Sequence, residues 1–169
     1  TTSTVTTSGG ITLANVQSTS SSTSPSNPIM LADFNVGTGN NRLLVVGISA
    51  DNGNAASVTF GGVPLTKKVS TFSNNDAEFW YLKNPTGTGA IVVTMSGSTS
   101  AVVGAYSFSG VNQSSPLPTS LVTHNSAASS PAVSITTKFA NDWVLDLPSI
   151  YGGVTLGSPT CTSQWNTNM

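Results

Sequence analysis

The stretch from Ala77 to Gly110 limits the possible fold more than any other part of the chain. Its apolar or small residues recur at every second position: Ile91, Val93 and Met95, then Val102, Gly104, Tyr106 and Phe108. A period of two is that of a β-strand, and no helical period occurs here. The turn sequences NPTG (84–87) and SGS (96–98) divide the stretch into three strands. We predict an antiparallel meander with one apolar face, which a second sheet must cover.

The composition also indicates an all-β protein. Charged residues make up 7% of the chain, whereas there are 27 Ser, 24 Thr and 15 Asn. The strong helix formers Glu, Lys, Arg and Gln are scarce, and β-branched residues are common. A length of 169 residues is typical of one domain. We expect residues 11–169 to form a single β-sandwich domain, with residues 1–10 as a tail.

The same composition bears on location and partners. A net charge of −1 creates no field that would attract nucleic acid. No apolar run approaches the roughly 20 residues that a membrane-spanning helix needs. The only cysteine, Cys161, cannot form an internal disulfide. A Ser/Thr/Asn-rich surface with few lysines is typical of exported proteins, so we expect a secreted or cell-surface location.

Apolar runs and alternation predict further strands, giving about eight to ten in all. Outside the opening stretch they lie at 29–36, 42–50, 57–60, 63–70, 132–137 and 142–151. Gly61-Gly62 is a two-residue hairpin turn signal. The irregular segment Val111–Pro131 is long enough to cross from one sheet to another. These features favour a two-sheet antiparallel β-sandwich of the Greek-key or jelly-roll kind.

Four segments together resemble a β-sandwich module that recurs in bacterial and archaeal cell-surface, adhesin-like proteins. They are NRLLVVGISA (41–50), SVTFGGVPLT (57–66), AEFWYLKNPTGTGAIVVTMSG (77–97) and VVGAYSFSGVNQSSPL (102–117). The resemblance covers about the middle half of the chain. It implies an extracellular location and a structural or adhesive role. It supplies no catalytic residues, and we predict neither enzymatic activity nor a cofactor.

The resemblance also implies a closing strand after TCTSQW (160–165), which this sequence does not contain. At the other end, a spare row with the period of a strand runs through Val5, Gly9, Ile11 and Leu13. We expect Thr1–Leu13 of one copy to fill a groove in the next copy by donor-strand complementation. Such head-to-tail contacts propagate as a filament of identical subunits. The alternative for this segment is a frayed terminus.

The second functional hypothesis is a monomeric adhesive or carbohydrate-binding surface module. Trp80 and Tyr81 are adjacent in one strand, so their side chains point to opposite faces. One of them could be an exposed platform on which a sugar stacks, and Trp80 is the candidate. Packing of Trp80 in the core of the sandwich is the alternative.

Candidate groups for chemistry are few. His124 is the only histidine, and no G-x-S-x-G nucleophile motif accompanies it. Asp33 and Asp146 lie in predicted strands, but nothing indicates that they face each other as a glycosidase pair. The sequence around Asp51, Asn52 and Asn54 is rich in oxygen ligands, and Asp76 and Glu78, which share a strand face, could assist a metal site there. A plain Asn-Gly turn is the favoured interpretation, and no metal is predicted.

Two modifications remain open from sequence. Asn112-Gln113-Ser114 is the only N-x-[ST] sequon, so Asn112 is a possible site of glycan attachment. The chain has four lysines, Lys67, Lys68, Lys83 and Lys138, and several lie near Asn-rich turns. A buried lysine next to Asn and an acid could form an intramolecular isopeptide bond, as happens in surface proteins. Sequence spacing does not decide whether this happens.

Overall fold

The computed structural model describes residues 10–21, 27–71, 75–97, 99–119, 134–139 and 141–149. These ranges contain nine β-strands and no helix, and therefore no helix long and apolar enough to cross a membrane. The strands are β1 (Thr12–Ser21), β2 (Ile29–Asn35), β3 (Leu43–Asp51), β4 (Ala55–Phe60), β5 (Val63–Pro64), β6 (Thr66–Ser70), β7 (Asn75–Lys83), β8 (Thr88–Met95) and β9 (Ala101–Ser109).

The strands form two antiparallel sheets that pack face to face. The five-stranded sheet has the order β1-β9-β3-β7-β6, and the four-stranded sheet has the order β2-β8-β4-β5. β3 is the central strand of the larger sheet and pairs along its length with both β7 and β9. The predicted all-β class and two-sheet sandwich are confirmed.

The pairing predicted for the opening stretch is wrong. β7 and β9 do lie in one sheet, but on either side of β3, and β8 belongs to the other sheet. The segments that follow β7 and β8 therefore connect the two sheets instead of closing hairpins. Backbone hydrogen bonds to the segment between β2 and β3 hold the first of these connections. Asn84 N donates to Arg42 O (2.8 Å), and Val36 N donates to Gly87 O (3.1 Å). A period of two predicts each strand but not its partner.

The main core lies between the sheets and consists mainly of the inward-facing rows of β2, β3, β4, β7, β8 and β9. From β3 it contains Leu44, Val46 and Ile48, all at most 1% exposed. Phe34 of β2 and Phe60 of β4 meet edge to face, with ring centroids 6.4 Å apart. We call this set the inner core: Ile29, Leu31, Phe34, Val36, Leu44, Val46, Ile48, Ala50, Ala55, Val58, Phe60, Leu65, Trp80, Ile91, Val93, Met95, Ala101, Val103 and Ala105.

Other local predictions have mixed outcomes. The Gly61-Gly62 turn is confirmed, because both glycines have positive φ (53° and 83°) and Phe60 pairs with Val63 across it. β1 continues to Ser21, through a run of Ser and Thr that carries no apolar alternation. The strands predicted near 132–137 and 142–151 are wrong for residues 134–137 and 142–149, which have no strand structure.

The inner core should dominate stability. Leu44→Ala removes a fully buried side chain and leaves a cavity, so the free energy of unfolding should fall by about 2–5 kcal/mol. Met30→Ala is the control, since Met30 is 57% exposed and its change should lie within about 0.5 kcal/mol. Urea unfolding followed by tryptophan fluorescence measures both. Equal losses in the two variants would contradict this placement of the core.

Candidate functional site

The outer face of the five-stranded sheet, which points away from the other sheet, is also apolar. The central strands β3 and β9 are therefore buried on both faces along nearly their whole length. We call the residues on this side the outer cluster. Its buried members are Leu43, Val45, Tyr106, Phe108 and Val111, and partly buried Ile11, Leu13, Val16, Phe79, Tyr81, Leu117 and Leu145 pack against them.

A segment near the C-terminal end of the described chain covers part of the outer cluster. We call residues 141–149 the strap. The Trp143 ring lies 5.3 Å from the Phe108 ring, and the Trp143 indole N–H donates to the backbone oxygen of Ile11 (3.1 Å). Leu147 lies over Gly47 of β3, where an added Cβ would come within 3.3 Å of a Leu147 methyl. The strap thus shields the outer face by side-chain contact.

The strap is not a strand of the sheet that it covers. Among the described residues its backbone makes one hydrogen bond to other backbone, from Asp142 N to Phe139 O (3.2 Å). The Asp142 carboxylate accepts from the Lys138 and Phe139 amides, which closes a local turn. Because no ladder fixes the strap to the sheet, its hold on the outer face depends on the side chains of Trp143, Leu145 and Leu147.

Among the strands that the structure describes, β1 forms one edge of the same sheet and pairs only with β9. Its sequence, TLANVQSTSS, is mostly polar, and the larger apolar side chains Leu13 and Val16 are only partly buried. Asn15 adds a link to the other sheet by donating from Nδ2 to Asn35 O (2.7 Å). β1 is therefore held mainly by its backbone ladder, with little apolar anchoring.

The structure describes part of the row predicted to be a donor strand. Leu13 pairs with Phe108 of the same chain, and both Ile11 and Leu13 pack on the outer cluster of that chain. Val5 and Gly9 lie outside the described residues. The contacts that a donor segment would make in a neighbouring copy are thus contacts that Ile11 and Leu13 make with their own sheet.

A second feature is a charged group at the opposite edge of the sheet, between β6 and β7. Lys67 Nζ lies 2.5 Å from Glu78 Oε1, and the Trp80 indole N–H donates to Glu78 Oε2 (2.7 Å). Lys67 Nζ is also 4.8 Å from the centre of the Trp80 ring and 3.3 Å from Ala55 O. Glu78 is fully buried, whereas the Lys67 side chain is 32% exposed. The lysine thus enters the sandwich from its edge.

Asp76 completes this group, which we call the charged cluster: Lys67, Asp76, Glu78 and Trp80. Asp76 is fully buried, and its Oδ1 accepts from Ser70 Oγ (2.9 Å). Its Oδ2 meets no donor among the described residues, while the Glu78 carboxyl lies beside it. Burial, followed by hydrogen bonding to Glu78, raises the pKa of Asp76 from 3.8 to about 6. A proton on Asp76 gives Oδ2 a hydrogen-bond partner, because the resulting O–H can donate to the Glu78 carboxylate.

The sugar-stacking role expected of Trp80 does not fit its position. Trp80 is 7% exposed and belongs to the inner core, with its indole N–H engaged by Glu78. A ring enclosed in this way cannot offer a face to a sugar. Tyr81 points to the other side of β7, as predicted, but it packs against the outer cluster and is only partly exposed.

The oxygen-rich loop after β3 makes structural hydrogen bonds. The Thr99 hydroxyl donates to Asp51 O, and Ser96 Oγ donates to Asn54 Oδ1 (2.6 Å). Asn52 has a positive φ of 56°, as a tight turn requires. Within the described ranges no three His, Cys, Asp or Glu side chains gather as they would around a metal ion. These contacts tie the loop to the β8–β9 connection.

The remaining candidates lie apart. Asp33 is exposed at a bulge of β2 in the four-stranded sheet, whereas Asp146 is exposed in the strap over the other sheet. They do not form a facing pair of carboxylates. Asn112 is exposed just after β9, and its Oδ1 accepts from the amides of Ser114 and Ser115. Its glycosylation stays a prediction. His124 and Cys161 lie outside the described residues.

Sequence reasoning placed Asp76 and Glu78 on one strand face but did not detect the charged cluster. The available signal was the alternation of Asp76, Glu78, Trp80 and Leu82, which puts two acids in line with two core residues. Phe79 and Tyr81 on the opposite face are equally apolar, so the pattern did not show which face points inward.

Comparisons with protein-family models, curated proteins and solved structures find no match for this chain. The resemblance to cell-surface β-sandwich modules therefore stays a prediction. What is established is the class of protein: an all-β, two-sheet antiparallel sandwich.

The contact between Gly47 and the strap can be tested. Gly47→Val adds a side chain where Leu147 and Phe79 already lie within 3.3 Å of the new Cβ. We expect destabilisation of about 1–3 kcal/mol, faster proteolysis within the strap and stronger binding of the dye ANS to the uncovered outer cluster. Gly97→Val is the control, because an added Cβ there meets nothing within 4 Å. An unchanged cleavage rate in Gly47→Val would contradict the strap contact.

The pKa of Asp76 predicts a pH dependence of stability. The folded state binds the Asp76 proton more tightly than the unfolded state does. The stabilisation that this proton provides is therefore fully present below about pH 4, and it is lost as the pH rises through about 6. Asp76→Asn lacks the ionisation and should be the more stable protein at pH 7, by at most about 3 kcal/mol. Urea unfolding from pH 3.5 to 7.5, taken as the difference between variant and parent, measures this.

Asp33→Asn is the matched control, because Asp33 is exposed and Asn tolerates its positive φ of 54°. This variant should follow the parent at every pH. If Asp76→Asn and the parent also differ by a constant amount across the range, Asp76 does not titrate in the way that its burial requires.

Proposed function

We propose that the chain is a structural module of an extracellular or cell-surface assembly, in which copies are joined head to tail by exchange of the N-terminal segment that includes β1. The observation that carries this proposal is the position of β1. Within the part of the chain that the structure describes, it is the first strand in sequence, lies at a sheet edge and pairs with β9 alone. A segment with these three properties can leave its own sheet without breaking any other pairing.

The energetics of β1 support exchange. Its removal exposes the ladder groups of β9 and part of the outer cluster, including Phe108 and Tyr106. An exposed apolar edge of this kind is a site for strand addition. The same strand from a second copy restores every contact in the same register, so exchange changes the connectivity but not the bonding. Because β1 carries few apolar side chains, the free-energy cost of detaching it from β9 comes mostly from breaking the backbone hydrogen bonds of the ladder.

The predicted donor row then has a definite role. Ile11 and Leu13 would rest on the outer cluster of the next copy as they rest on their own, with Val5 and Gly9 extending the segment. Head-to-tail addition does not close, and it yields a filament. The surface chemistry supports an extracellular setting, since 51 of the 169 residues are Ser or Thr and only 7% are charged. The partner is another copy of the chain.

The glycan-binding alternative has less support, because Trp80 is buried in the inner core and cannot serve as its platform. No arrangement of the described side chains favours a catalytic role. The structural role is therefore the function that we propose.

A disulfide across the β1–β9 ladder tests the exchange. Ser20 and Val102 are register partners, and the alternation of both strands places them on the outer face. In a Cys161→Ser background, Ser20→Cys combined with Val102→Cys should form disulfides between copies. Oxidised protein should then run as a ladder of multimers on a non-reducing denaturing gel and collapse to the single-chain mass on reduction.

Each single-cysteine variant is a control and should give at most a dimer. If the double variant forms its disulfide completely, as titration of free thiols would show, and still runs at the mass of one chain, then β1 pairs within its own copy. That result would refute the exchange. Negative-stain images of the parent protein provide a second readout, in which the proposal requires filaments.

A further inference from the structure

The charged cluster brings an amine and a carboxyl group into contact inside a β-sandwich. Lys67 lies on the edge strand β6 and Glu78 on its neighbour β7. In the ladder Lys67 pairs with Trp80, so Glu78 is its diagonal neighbour, within reach of a long side chain. Lys67 Nζ and Glu78 Oε1 are 2.5 Å apart, so the two side chains are in direct contact.

The surroundings of Glu78 restrict water and fix the carboxyl group. Glu78 is 0% exposed, and its second oxygen is held by the indole N–H of Trp80 at 2.7 Å. Asp76, also 0% exposed, adjoins the same carboxyl group. Ala55 and the Trp80 ring flank the lysine amine. The Glu78 carboxylate has little solvation here, and burying a neutral amide costs less free energy than burying a charge.

We propose that Lys67 and Glu78 condense to form an intramolecular isopeptide bond that covalently joins β6 to β7. The bond forms between Lys67 Nζ and Glu78 Cδ, and the bond that breaks is Cδ–Oε1. The ammonium group contributes two of its three protons to the departing oxygen, which leaves as water, and the third stays on the amide nitrogen. The reaction needs no oxidant, reductant or further reactant.

Two neighbours have definite roles in this step. Trp80 donates to Oε2, the oxygen that remains as the amide carbonyl, and so stabilises the negative charge that develops there during attack. Asp76 relays a proton to the departing oxygen and regains one from the amine, and is unchanged overall. Its raised pKa, about 6, suits a group that must both hold and release a proton near neutral pH.

This inference is independent of the proposed exchange of β1, which concerns the opposite edge of the sheet. Its consequence is local. β6 is an edge strand of five residues with a register shift between Lys67 and Val69, so its ladder is short and interrupted. An amide bond to β7 prevents this edge from separating from the sheet.

Intact-mass spectrometry of the purified full chain tests the proposal. The parent protein should be lighter than its sequence by the mass of one water molecule. Lys67→Arg should show the full sequence mass, since arginine retains the ion pair but cannot form the amide. Lys68→Arg is the matched control on the adjacent residue and should still lack one water. Circular dichroism and thermal unfolding establish that each variant is folded.

Tryptic digestion locates the bond. Trypsin cleaves after Lys68, which lies between the two residues, so Lys67 and Glu78 fall on separate fragments unless an amide holds them together. The expected product is a branched peptide joining these fragments, identified by tandem mass spectrometry. A folded parent protein of full sequence mass would overturn the proposal, as would a loss of water that persists in Lys67→Arg.

Discussion

The burial of β3 and β9 on both faces is the constraint on which the rest of this structure depends. A sheet in a two-layer sandwich normally presents one face to water, but here Leu43, Val45, Tyr106 and Phe108 make the second face apolar as well. The four-stranded sheet covers only the inner side. The chain must therefore supply a third layer, and among the described residues it does so with the strap and the segments flanking β9. In the described residues the strap has no ladder of its own, so its attachment depends on side-chain contacts alone.

The sequence specified the strands better than their partners. Alternation predicted β7, β8 and β9, and the glycine pair predicted the Gly61-Gly62 turn. Both signals are local, because the side-chain period and a positive φ depend only on neighbouring residues. Alternation failed on pairing, since a short connection such as 84–87 can either close a hairpin or pass between sheets. Which occurs depends on β3 inserting between β7 and β9, a contact distant in sequence. The strap was mistaken for a strand because its apolar side chains alternate like those of a strand, although it forms no ladder.

The same limit applies to the candidate sites. Asp76 and Glu78 were placed on one face of a strand, but both faces of β7 are apolar, so only tertiary structure shows that the acids point inward. Lys67 was not linked to them, because the diagonal contact follows from the β6–β7 register and its irregularity. For Trp80, burial excludes the exposed position that a sugar-binding role needs. The edge position of β1 was not evident from the sequence either, since its TLANVQSTSS segment is too polar to identify a partner.

The two edges of the five-stranded sheet differ in a way that suits an assembly built by strand exchange. At one edge β1 is polar, half-exposed and attached through its ladder, as the proposed replacement by an identical strand requires. At the other edge β6 carries Lys67 and Lys68, and charged edge residues discourage pairing with a foreign strand. Lys67 also ties β6 to β7 through Glu78. If both edges could open, copies would add at either side and the polymer would branch. In the proposed filament, an edge that exchanges, opposite an edge that is fixed, would limit growth to one direction.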